Sequence, residues 1–463
     1  MRALVLIHRW LGIGFCLLFA MWFASGLVMH FVPYPSLEES ERIAGLSAFN
    51  LQEVIAPAAA LKALEVHKVR RMRLVNVGGV PTYIGPRSDG TTAAITARDG
   101  KPLVVDETAA LTSASVHAQS RALDASQARI EARDTHDQWT VANGFDAHRP
   151  LYRVALNDMA QTELYVSSVT GEVVLDTTRF ERACNWAGSV VHWIYPTVLR
   201  RHWATWDSTV WWASLIAMIG ALTGLALGVL RLNKMRSPFR GWMKWHHVLG
   251  LTCSLFVMTW IFSGWLSMDH GRIFSRGDTI GDDRMRIEGR ALSAPDMPGL
   301  DGVGTSVREV EWFPFAGQIM TRVVDQRGIQ QIHMNGERTP WITPAHIAQA
   351  ARTLARNCTH AIVEEHAAYP AKSVTKSAPV YRITCGDVWF HVDGANGKPI
   401  EKLDASRRAY RWAFQALHTF DFPALSANPA LRTTIIVLLC LGGFAFSVSG
   451  MVIGWRRLKR TLN

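Results

Sequence analysis

No aspartate or glutamate occurs in residues 1–37, 208–268 or 422–463 of this 463-residue chain. Acid-free stretches of that length are not ordinary solvated surface; they are compatible with lipid. They hold 12 of the 49 Lys and Arg, which leaves 37 basic residues against 38 acids in the two long polar segments. The net charge of +11 therefore flanks apolar runs. Nucleic acid is excluded as a partner, because it calls for a basic stripe on a soluble domain with aromatics interleaved. Catalytic signatures are missing too: there is no GxSxG, no HExxH, no P-loop and no GxGxxG between a strand and a helix. No CxxC or CxxCH occurs, which excludes covalent haem of the c type. Low-complexity segments are also absent.

What is present is four apolar runs, at about residues 10–32, 209–230, 248–268 and 433–454, each meeting the roughly 20-residue requirement for crossing a bilayer. Arg231, Lys234, Arg236, Arg240 and Lys244 lie between the second and third runs, and the chain ends in "WRRLKR" before its last three residues. The positive-inside rule puts both in the cytoplasm, with both termini, and both long polar segments outside. The first run lacks an A-x-A site and reads as a retained anchor, not a cleaved leader.

The chain is a tandem repeat. "HRWLGIGFCLLFAMWFASGLVM" from His8 aligns with "HHVLGLTCSLFVMTWIFSGWLS" from His246 at an offset of 238, matching Gly12 to Gly250, Trp22 to Trp260 and Ser25-Gly26 to Ser263-Gly264. The other spans repeat at an offset of 226, matching Tyr165 to His391, Trp186 to Trp412, His192 to His418, and Gly224 and Gly228 to Gly450 and Gly454. Each half is span, external domain, span, in one orientation, as in parallel-repeat membrane proteins. The expected fold is a membrane all-α four-helix bundle with a pseudo-twofold axis along the membrane normal, and two periplasmic α+β domains. Glycines at 220, 224, 228, 450 and 454 supply small faces for close helix approach.

The expected division is span 1–33, external domain 34–185, interfacial segment 186–207, span 208–232, cytoplasmic loop 233–244, span 245–269, external domain 270–410, interfacial segment 411–429 and span 430–456. "PLYRVALNDMAQTELYVSSVTGEVV" and "PVYRITCGDVWFHVDGANGKPI" alternate apolar and polar residues and break at turn residues, so they are β-hairpins. Stretches such as "PAHIAQAARTLAR" ahead of them are helical. "HAIVEEH", His360 to His366, read as a helix, has its histidines about 120° from one face, so it reads as solvated surface and not a metal site. Cys16, Cys253 and Cys440 sit in spans as packing residues; Cys358 and Cys385 share the second external segment, where a disulfide is permitted, and Cys184 stands apart.

The histidines carry the chemical signal. His8 and His246 open matched spans, His30 ends the first span, and His192 and His418 stand at matched positions ahead of the second and fourth. Ionisable residues at membrane depth are costly and usually functional. His8 and His30 fall within about 40° of one helical face and about 33 Å apart, one at each end of the bilayer. Gly12 and Gly250 follow His8 and His246 by four residues, leaving room for a flat macrocycle, although helix packing would also use them. Fourteen of the 18 Trp lie in or beside the spans. Imidazoles at two depths in a helix bundle suggest two b-type haems.

"HRWLGIGFCLLFAMWFASGL", "WHHVLGL", "SGWL", the hairpin ending "VTGEVV", the "VH" and "LH" before spans two and four, and the endings "TGLALGVLRL" and "SGMVIGWRRL" resemble the PepSY-associated transmembrane family over nearly the whole chain. Its iron-regulated members include inner-membrane siderophore reductases that carry two haems in a four-helix bundle. The resemblance implies PepSY-like external domains and haem iron bound by His8, His246, His192 and His418. The repeat is imperfect at the outer end, where His30 has Met268 as its counterpart and His270 lies two residues on, so an outer haem using His30 with another ligand stays open. His247 is a rival to His246. The implied activity is electron transfer from a cytoplasmic donor or quinol to a periplasmic ferric siderophore or other ferric complex. The alternative is a non-enzymatic membrane protein whose external domains bind or regulate a periplasmic partner.

Overall fold

The computed structural model describes residues 1–87, 89–272, 274 and 282–462. Six helices organise it: α1 (Arg2–Phe31), α2 (Glu107–Ser120), α3 (Trp203–Leu230), α4 (Gly241–Ser267), α5 (Pro344–Leu354) and α6 (Pro429–Leu462). Among the described residues α1, α3, α4 and α6 are the four helices long and apolar enough to cross a membrane. Three of them run well past the apolar windows, because a helix continues through flanking Arg and Lys whose long stems let the charge reach water.

The spans are apolar around their whole circumference, so no single stripe orients them. Small residues do instead. α1 packs against α3 and α6, and α4 against the same two. A Cβ on Gly443 of α6 would lie 2.5 Å from the Phe23 ring of α1, and one on Gly228 of α3 would lie 3.0 Å from Leu251 of α4. Close backbone approach of this kind is how helices associate where lipid removes the hydrophobic drive. α1 and α4 begin, and α3 and α6 end, at what we call the terminal side; the polar segments lie at the other, the domain side.

Among the described residues, sixteen strands form three antiparallel sheets. β5 (Arg129–Asp134), β6 (Leu151–Ala155), β7 (Glu163–Ser167) and β8 (Val173–Thr177) make one meander in the first half. β13 (Thr359–Ile362), β14 (Val380–Cys385), β15 (Val388–Asp393) and β16 (Pro399–Leu403) repeat it in the second. α2 lays Ala110, Ala114 and Ala118 on Val154, Leu164 and Val166, and α5 lays Ile347 and Ala350 on Ile383, Phe390 and Val392. The expected hairpins are β6 to β8 and β14 to β16.

The remaining strands are β1 (Phe49–Asn50), β2 (Met72–Val77), β3 (Val80–Pro86), β4 (Thr92–Thr96), β9 (Ser306–Phe315), β10 (Gln318–Asp325), β11 (Gln330–Met334) and β12 (Glu337–Thr339). They form one eight-stranded sheet in the order β12-β11-β10-β9-β2-β3-β4, with β1 on β9. Its central pair, β2 with β9, joins the two halves through Leu74 opposite Val310 and Val75 opposite Glu309. The boundaries 34–185 and 270–410 therefore divide the chain but not the sheet. "HAIVEEH" also differs from its helical reading: residues 359–362 are an exposed edge strand, favoured by pairing to β14.

The seam between halves is charged. Glu309, fully buried, accepts from Arg42 at 2.6 Å and Arg322 at 2.8 Å, while Arg73 holds Glu172 through two contacts of 2.8 Å. These cations hold the Glu309 carboxyl well below its ordinary range against the opposing effect of burial. Removing one member strands the others: Glu309→Ala is expected to cost roughly 3–5 kcal/mol, read as a lower unfolding midpoint in detergent. Because the folded-state pKa is depressed, this stabilisation is complete above the ordinary carboxylate range and is lost as pH falls below it. Cys358 and Cys385 are disulfide-bonded, and Cys16, Cys184, Cys253 and Cys440 are free.

Candidate cofactor site between the spanning helices

The repeat brings histidines together in pairs. At the terminal side His8 of α1 faces His246 of α4 with ring centroids 6.4 Å apart. At the domain side His192 faces His418, 6.3 Å apart. Both of the latter follow a π-helical turn, Trp186–Val190 in one half and Arg411–Ala416 in the other. Such turns are frequent at functional sites. An extra residue in the turn swings everything after it by about 100°. Nothing in the local composition announces these turns.

All four rings use Nδ1 for a neighbouring helix. His192 Nδ1 lies 3.0 Å from Ser25 Oγ, His418 Nδ1 3.0 Å from Ser263 Oγ, His246 Nδ1 3.0 Å from Ser449 Oγ, and His8 Nδ1 3.1 Å from the Gly220 carbonyl. Their Nε2 atoms make no hydrogen bond among the described residues. Each ring also rests on a glycine: a Cβ would lie 2.5 Å from His8 at Gly224, 3.3 Å from His246 at Gly450, 3.3 Å from His192 at Gly26 and 3.5 Å from His418 at Gly264. The spacing of the histidines does not reveal these seats. Their signal in the sequence is the hydroxyl-glycine dipeptide that every span carries, Ser25-Gly26, Thr223-Gly224, Ser263-Gly264 and Ser449-Gly450.

Around His8 and His246 the helices line an open cavity of about 800 Å³, within the size range of cofactor sites. Gly12 lines it, with nothing within 4 Å of a Cβ placed there. Gly250 lines it as well, and its missing side chain also admits the Phe446 ring, at 3.0 Å, which stacks on His246 at 4.9 Å. Arg9, Arg231, Arg240 and Arg456 also line the cavity, which suits an anionic group.

The other histidines named from the sequence have partners of their own, although His247 also lines the cavity. Both nitrogens of His247 are engaged, Nδ1 with Ser237 Oγ and Nε2 with the Gly228 carbonyl, each at 2.8 Å. His30 Nε2 bonds Thr433 Oγ1 at 3.0 Å and belongs to neither pair. Met268 packs against the cluster of Tyr195, Trp206 and Val210, and His270 bonds Asp207 at 2.9 Å.

Two imidazoles bound to one metal from opposite sides, with bonds of about 2.0–2.1 Å and ring centres about 1.1 Å behind each nitrogen, have centroids about 6.3 Å apart. Both pairs have that separation. No group of three or more His, Cys, Asp or Glu side chains converges among the described residues, so each pair presents two imidazoles and no third ligand of those types.

Comparison with curated proteins finds no match to this chain. The family model described as the PepSY-associated TM region, by contrast, matches residues 5–457, both repeat halves and all four spans together, so the chain belongs to the PepSY-associated transmembrane family.

Proposed function

We propose that this protein is an inner-membrane four-helix bundle holding two b-type haems, which passes electrons from the terminal side to the domain side to reduce a ferric siderophore or another ferric complex. The carrying observation is the pair of facing imidazole couples at 6.4 and 6.3 Å, each with Nε2 left unbonded. His8 with His246, and His192 with His418, would hold the two irons. The bound groups supply one-electron chemistry between ferric and ferrous states.

The chain's own residues do the rest. Seventeen residues separate His8 from Ser25, the partner of His192, which sets the two sites about 25 Å apart along α1. One site could not serve a hydrocarbon core about 30 Å thick. Phe23, Phe256 and Trp260 fill the space between, packed edge to face or tilted at 5.6 to 6.2 Å. The arginines at the terminal cavity would meet the carboxylates of a haem. By the positive-inside rule that end is cytoplasmic and the sheets are periplasmic. With no FAD or NAD motif in the chain, the donor is a separate protein or a quinol. Reduction would release iron because hard oxygen donors suit ferric iron better than the softer ferrous ion.

Purified protein is expected to be red, with a Soret band and sharp α and β bands after dithionite. Protein that is colourless as isolated, and stays so after haem supplementation, would sink this reading and leave a non-enzymatic partner-binding protein.

A further inference from the structure

Each of the four imidazoles is met by a hydroxyl-glycine dipeptide on the neighbouring helix, and the two parts have separate tasks. The glycine lets the ring approach the helix; in three of the four the hydroxyl takes Nδ1. Ser25 Oγ donates its own proton to the Met21 carbonyl at 2.6 Å, and Ser263 Oγ donates to the Trp260 carbonyl at 3.1 Å. Ser449 Oγ likewise donates to the Phe446 carbonyl at 2.5 Å. With its proton committed, each serine oxygen is left as an acceptor, so the facing Nδ1 must carry the hydrogen and Nε2 the lone pair.

The fourth dipeptide departs from this. The Thr223 hydroxyl donates to the Gly220 carbonyl at 2.9 Å, and His8 Nδ1 bonds that same carbonyl at 3.1 Å. The domain-side pair is thus held by two hydroxyls, and the terminal-side pair by one hydroxyl and one peptide carbonyl. Phe446, stacked on His246, stands in the repeat where Gly220 stands beside His8, so the inequality is built into the helices.

We propose that Ser25, Ser263 and Ser449 are positioning residues that fix the tautomer of His192, His418 and His246 and, through the basicity of those ligands, set the reduction potentials of the two haems separately. This rests on the two-haem reading. The physical route is the outer-shell hydrogen bond: an acceptor on Nδ1–H raises the electron density at Nε2, which favours the ferric over the ferrous state. Loss of an acceptor therefore moves a midpoint to more positive potential.

The experiment is an optical redox titration of the haem-loaded protein, wild type against Ser25→Ala, Ser263→Ala and Ser449→Ala. Two components are expected. Ser25→Ala and Ser263→Ala should move one of them to more positive potential, and Ser449→Ala the other. Full haem content with midpoints unchanged in all three variants overturns the proposal, as does one variant moving both components equally. Where an alanine variant loses haem, the threonine variant at the same position decides: haem and midpoint restored by Ser→Thr supports a hydroxyl role, and haem lost with threonine as well overturns it. Wild-type protein that binds no haem refutes the function proposed above, a different outcome from any of these.

Discussion

His246→Ala is expected to lose one of the two proposed haems, and with it the proposed electron transfer across the membrane, while its neighbour His247→Ala keeps both. The two residues are adjacent, yet their surroundings differ in kind. His246 faces His8 across 6.4 Å with Nδ1 on Ser449 and Nε2 unbonded. His247 spends both nitrogens, on Ser237 and on the Gly228 carbonyl, and so ties the start of α4 to the end of α3. A haem-to-protein ratio halved in the first variant and unchanged in the second is the expected result, measured on purified protein by haemochrome absorbance. Full haem in His246→Ala would refute the ligand assignment. A His247→Ala variant that folds but drops to half would transfer the role to His247.

The second large effect falls on a residue with no side chain. Gly224→Ala puts a methyl 2.5 Å from the His8 ring, closer than any real contact allows. Either His8 turns away from His246 or α3 moves off α1, and overpacking of this kind costs typically about 1–3 kcal/mol. Because the ring is the flexible partner, it is expected to yield first, and the terminal-side haem is lost while helix content stays the same. Gly264→Ala is the control, since its methyl would meet His418 at an ordinary 3.5 Å and the domain-side haem should stay. Equal haem retention in the two variants, with unchanged spectra, would show that the glycines do not seat the imidazoles.

Much of this is legible in the residues. The acid-free stretches and the apolar runs mark the four helices, because a bilayer imposes length and composition on whatever crosses it. The offsets of 238 and 226 mark the repeat and single out His8, His246, His192 and His418 as equivalent in twos. Alternation and turn residues place β6 to β8 and β14 to β16. Read as a helix, His360 to His366 leaves its histidines off one face; residues 359–362 instead pair as an edge strand, which a short polar stretch cannot announce. Gly250 lines the cavity beside His246, and the ring of Phe446 from another helix packs against it, a contact that spacing along one helix cannot announce.

The spans, the repeat and the identity of the candidate ligands can be read from the residues, since each is a property of composition or of spacing along one chain. Which residues meet is a matter of packing. The pairing of His8 with His246, the seating of each ring on a glycine, the bonding of His247 and His30 to partners of their own, and the joining of β2 to β9 around buried Glu309 all depend on the rotation and register of separate elements, most of them far apart in the chain. A repeat says which positions are alike. It does not say which of them face each other, because helix azimuth is set by packing, and here two π-helical turns reset it just before His192 and His418.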